Sequence, residues 1–126
     1  MNLRTPLSRA RGHGSAKSGV SHWWWQRLTA IALVPLTLWF VVALVSLHNA
    51  DYATVTTWLH SSVNAALLAL FVVAGIYHGQ LGLQVVIEDY VHLERLKFTL
   101  LIALKLVAVL LAAIAVLAII RIAVTG

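Results

Sequence analysis

His78 stands inside a long apolar run, and Asp89 and Tyr90 follow where that run ends. On one helix, the eleven residues from His78 to Asp89 make about three turns, or ~16 Å, which returns the carboxylate to the histidine's face. An imidazole at mid-membrane depth needs a partner. Two readings are open for it: axial ligation of haem iron, as in b-type cytochromes, or a hydrogen bond across a helix interface. His60 lies ~27 Å away along the same run, so a second axial ligand has to come from elsewhere. Glu88, Asp89 and Tyr90 form either a helix end reaching water or a polar pocket at the membrane surface. In such a pocket a phenol donates to a carbonyl oxygen and a carboxylate takes part in proton delivery. Arg27 opens an earlier apolar run, just after His22, Trp23, Trp24 and Trp25. Its guanidinium either snorkels to the interface or pairs with a buried anion such as a haem propionate, with His22 nearby. The tryptophans read as an interfacial anchoring belt.

The composition says what must hold these groups. Of 126 residues, 61% are hydrophobic and 10% charged, against about 25% charged in a soluble domain. Mean hydropathy is +0.91. A globule of this size cannot hide so much apolar surface within itself, so lipid is the solvent. Three apolar segments, about 28–47, 59–87 and 98–120, are each long enough to cross a bilayer. They predict an all-α membrane protein of three transmembrane helices over residues 20–126, preceded by a flexible basic arm over 1–19. Pro35 predicts a local kink in the first span. On a helical wheel of the second span at ~100° per residue, Gly79, Gly82, Phe71 and His78 fall within about 60° of Gly75. Small residues so arranged admit another helix, or a flat cofactor, close to the backbone. Gln80 and Gln84 point the other way. Lys105, ~12 Å past Lys97, reads as snorkelling to the interface.

Lysine and arginine counts orient the chain. Arg4, Arg9, Arg11 and Lys17 lie in the arm, Arg27 at the first span, and Arg95 and Lys97 in the loop 88–97. The loop 48–58 has none, and Arg121 stands near the C-terminus. The N-terminus and loop 88–97 are therefore expected in the cytoplasm and the C-terminus in the periplasm. The net charge of +5 does not point to nucleic acid, because most of it sits in the arm. There is no cysteine, which excludes disulfides, thiol nucleophiles and Cys-ligated zinc or iron–sulfur clusters.

Together these features resemble the hydrophobic membrane anchor subunit of succinate dehydrogenase, the D-type cytochrome b anchor of respiratory complex II. The match is carried by residues 78–91, read as H-x3-G-x-Q-x4-D-Y-V, and by the stretch HWWWQRLTAIALVPL, which looks like the alphaproteobacterial version. It extends over roughly residues 20–120. The resemblance implies half of a haem-binding bundle, completed by a companion cytochrome b anchor. It implies that His78 is one axial ligand of haem b and that Tyr90 and Asp89 belong to the ubiquinone site. Arg27 then lies near the haem propionates. His22 resembles a histidine before that arginine, with one residue fewer between the two than the family pattern has. Further partners implied are an iron–sulfur subunit and a flavoprotein subunit, in a bacterial inner membrane. Flavin and clusters belong to those chains, so this one is expected to have no dehydrogenase activity alone. Two rival classes are a small transporter or channel subunit and a cofactor-free structural anchor.

Overall fold

The computed structural model describes residues 5–7 and 16–125. Its elements are α1 (Ala16–Ser46), α2 (Tyr52–Leu59), α3 (Ser62–Tyr90) and α4 (Glu94–Thr125). The fold is all-α, and α1, α3 and α4 are each long and apolar enough to cross a membrane. Most of the expected arm, residues 1–4 and 8–15, lies outside the described residues; its last four residues already belong to α1.

The long helices outrun their apolar segments, α1 at its N-terminal end, α3 at its C-terminal end and α4 at both. With 31, 29 and 32 residues they reach ~44–48 Å, against ~30 Å of hydrocarbon. Hydropathy sees only the lipid-embedded part, whereas backbone hydrogen bonding carries a helix on into the headgroup layer. Tilt and projecting ends absorb the excess. Helix α1 continues through Pro35.

The stretch between the first two spans is not a simple loop, and the second span begins at Ser62 rather than at residue 59. Asp51 caps α2: its Oδ1 accepts from the Thr54 hydroxyl at 2.5 Å and from the Thr54 backbone N–H at 2.9 Å. These two hydrogen bonds hold the Asp51 carboxyl below its ordinary pKa. Trp58 stacks on Trp39 with centroids 5.8 Å apart, tying α2 to α1. His60 donates from Nδ1 to the Ala123 carbonyl at 3.0 Å, tying the end of α2 to α4.

Helix α3 is central. Helices α1 and α4 both pack on it, and no Cα of α1 comes within 8 Å of one in α4. Phe40 stacks on Phe71 at 4.5 Å and Trp25 meets Tyr77 edge-on at 5.9 Å across the α1–α3 contact. Little is shut away: Ala43, Leu59, Leu81 and Ile119 are the buried apolar residues among those described. At most 11% of any span's most apolar window is buried. Lipid or partner chains must cover the rest.

Candidate functional site

The His78 ring lies at the α1–α3 contact. Its Nδ1 is 3.0 Å from the Thr29 hydroxyl oxygen. Thr29 is buried, and its hydroxyl donates to the Trp25 carbonyl at 2.6 Å. The other ring nitrogen, Nε2, makes no hydrogen bond among the described residues. The ring borders a groove of about 420 Å³ whose other walls are Ala30, Leu33, Val34, Thr37 and Leu38 of α1. The groove is open and almost wholly apolar, a shape suited to one face of a flat ligand.

Beside His78 runs the glycine face. A Cβ at Gly75, Gly79 or Gly82 would meet nothing within 4 Å. Among the described residues nothing fills the space over these three glycines, while Phe71 and His78 on the same side of α3 pack on α1. Gln80 and Gln84 do point away from it, as the wheel predicts. They form a ladder, with Gln80 Nε2 donating to Gln84 Oε1 at 3.3 Å and Gln84 Nε2 to Glu88 Oε1 at 3.0 Å. With Tyr77 and Lys105 these glutamines line a separate cleft of about 440 Å³ between α3 and α4. Lys105 is exposed beside this largely apolar cleft, with no ion pair among the described residues.

Arg27 is exposed and lies over the Trp23 ring, 5.5 Å from its centroid. At ~100° per residue it shares a stripe of α1 with Val34 and Leu38, two walls of the His78 groove. It stands about two turns above them, toward the expected cytoplasmic end. His22 is not brought to Arg27: five residues put it ~140° round the helix. It faces α3 instead, beside a 270 Å³ polar cavity lined by Gly19, His22, Gln84 and Glu88. Its Nε2 and the Gln26 Oε1 are both buried without a hydrogen-bond partner among the described residues. Trp23, Trp24 and Trp25 are half exposed, as interfacial anchors are.

Asp89 and Tyr90 end α3 together, and Val91 caps it through its N–H to the Ile87 carbonyl. Both side chains are exposed, Tyr90 by 78%, and neither makes a hydrogen bond among the described residues. They lie at the same end of the bundle as Arg27, about three turns from His78. Among the described residues no group of three His, Cys, Asp or Glu comes together. Sequence reasoning missed Thr29. A threonine in an apolar run carries no signal until the register of α1 against α3 is known.

Over residues 1–118 the sequence matches the family described as succinate dehydrogenase/fumarate reductase transmembrane subunit. It is 40% identical over 109 residues to the succinate dehydrogenase hydrophobic membrane anchor subunit of Rickettsia bellii (strain RML369-C), covering 86% of this chain and 87% of that one. The corresponding subunit of Rickettsia conorii (strain ATCC VR-613 / Malish 7) is 36% identical over 106 residues, 83% and 84% of the two chains. That of Paracoccus denitrificans is 31% identical over 90 residues, 71% and 70%. No solved structure matches. With three spans in hand and such matches along most of its length, the chain belongs to the succinate dehydrogenase/fumarate reductase transmembrane subunit family, as a hydrophobic membrane anchor subunit of the succinate dehydrogenase type.

Proposed function

We propose that this chain anchors a succinate:ubiquinone oxidoreductase in a bacterial inner membrane, supplying one axial ligand to haem b and part of the ubiquinone site. The observation that carries the reading is His78. One of its ring nitrogens is engaged by Thr29, and the ring borders an apolar groove with Arg27 above it. His78 would bind iron through Nε2, the groove wall of α1 would pack on one porphyrin face, and Arg27 would pair with propionate. Arg27 suits that role better than His22, which faces α3. Bound haem b supplies one-electron redox capacity within the membrane. Tyr90 would donate a hydrogen bond to a ubiquinone carbonyl, and Asp89 beside it would deliver protons from the cytoplasmic surface. The second ligand comes from a companion cytochrome b anchor. A flavoprotein and an iron–sulfur subunit dock on the cytoplasmic side and do the succinate chemistry, so the chain alone oxidises nothing.

A C-terminally tagged copy, purified from its membranes in mild detergent, is expected to bring down three other polypeptides and a reducible b-type absorption band. A pigment-free homo-oligomer would favour the transporter reading instead, and partners without pigment the purely structural anchor. Orientation has its own check. Reporter fusions at residue 126 and within residues 50–57 should both report the periplasm, because the basic residues cluster at the opposite ends of the spans. A cytoplasmic signal at residue 126 would refute the proposed topology.

A further inference from the structure

We infer that Thr29 is a positioning residue that fixes the tautomer and ring plane of His78 so that Nε2 presents its lone pair to the groove. The inference rests on the haem reading above and deepens it. A threonine hydroxyl has one proton. At 2.6 Å from the Trp25 carbonyl oxygen, which can only accept, that proton is committed to Trp25. The Gln26 carbonyl at 3.1 Å lies on the same side and is also only an acceptor. Toward His78 the Thr29 oxygen therefore offers a lone pair. The 3.0 Å contact to Nδ1 is a hydrogen bond only if Nδ1 carries the hydrogen and donates it. A neutral imidazole protonated on Nδ1 has its free lone pair on Nε2.

The supporting geometry is rigid. Thr29 is 7% exposed and sits on a helix whose carbonyls orient its hydroxyl. As a β-branched residue it has few rotamers in a helix, and back-bonding to the preceding turn selects among them. The Phe40–Phe71 and Trp25–Tyr77 contacts on either side hold α1 against α3 in this register. An acceptor on the far nitrogen also makes a ligating imidazole a better electron donor, which favours the oxidised metal.

The test uses the intact complex with Thr29→Val, which keeps the shape and removes the hydroxyl, and Thr29→Ser, which keeps the hydroxyl. Haem content, the haem midpoint potential and the low-spin ferric electron paramagnetic resonance signal are measured, with His78→Ala run alongside. Thr29→Val should raise the midpoint potential, shift the ferric signal and weaken haem retention by about ten- to a hundred-fold, the usual cost of losing a partner behind a metal ligand. Thr29→Ser should match the unsubstituted protein in all three. If Thr29→Val leaves no haem to measure while Thr29→Ser keeps it, the hydroxyl requirement stands. Thr29→Val with an unchanged potential and signal overturns the inference, and so does a Thr29→Ser variant that behaves like Thr29→Val, because the methyl group would then be what matters. If His78→Ala itself leaves the haem spectrum untouched, it is the ligand assignment that fails, and the inference falls with it.

Discussion

Replacing His78 with alanine is expected, on the proposed haem reading, to remove one iron ligand from the assembled complex and to change its b-type spectrum or redox potential. Alanine retains no donor atom. His60 belongs to the far end of the bundle, bonded to Ala123, and His22 faces α3 about two turns from Ala30, the nearest wall of the groove. A haem held there would still have Ala30, Leu33 and Val34 to pack on and Arg27 to pair with, so the complex should still assemble with some haem bound. Optical spectra and a redox titration on the same membranes read the outcome. An unchanged spectrum and potential would remove His78 from the site.

Tyr90→Phe is expected to slow quinone reduction while leaving succinate oxidation by a soluble acceptor intact. The phenol is exposed and makes no hydrogen bond among the described residues, so phenylalanine removes a donor without disturbing the fold. A neutral hydrogen bond is worth ~0.5–1.5 kcal/mol and one to a charged group ~1.5–3. The bond strengthens as the carbonyl oxygen gains negative charge, so the loss falls on the transition state. At ~1.4 kcal/mol per factor of ten, turnover should drop between a few-fold and roughly a hundred-fold. Asp89→Asn should act separately, slowing proton delivery more than quinone binding, and thus lowering kcat more than it raises KM. Equal losses of both activities would indicate failed assembly. Full quinone activity in Tyr90→Phe would take Tyr90 out of the site.

The parts legible in the sequence are those that depend on one helix at a time. The spacing of His78, Asp89 and Tyr90 on α3 follows from helical periodicity, and the structure keeps all three on one uninterrupted helix. The three spans follow from length and apolarity. What failed to show was whatever depends on two helices. Thr29 matters only because α1 meets α3 in one register. The glycine face was legible, but not that the described residues leave its three glycines uncovered. The helix α2 was hidden for another reason. YATVTTWL carries four β-branched residues, a poor helical composition, and is held instead by the Asp51 cap and the Trp58–Trp39 stack.

The lack of contact between α1 and α4 has a consequence for assembly. Every wall of the His78 groove belongs to α1 or α3, so the groove is complete once those two helices have paired. The α1–α3 pair thus carries the histidine, its threonine and the open space over the three glycines without help from α4. Whatever covers those glycines can engage this pair alone, while α4 packs on a different flank of α3.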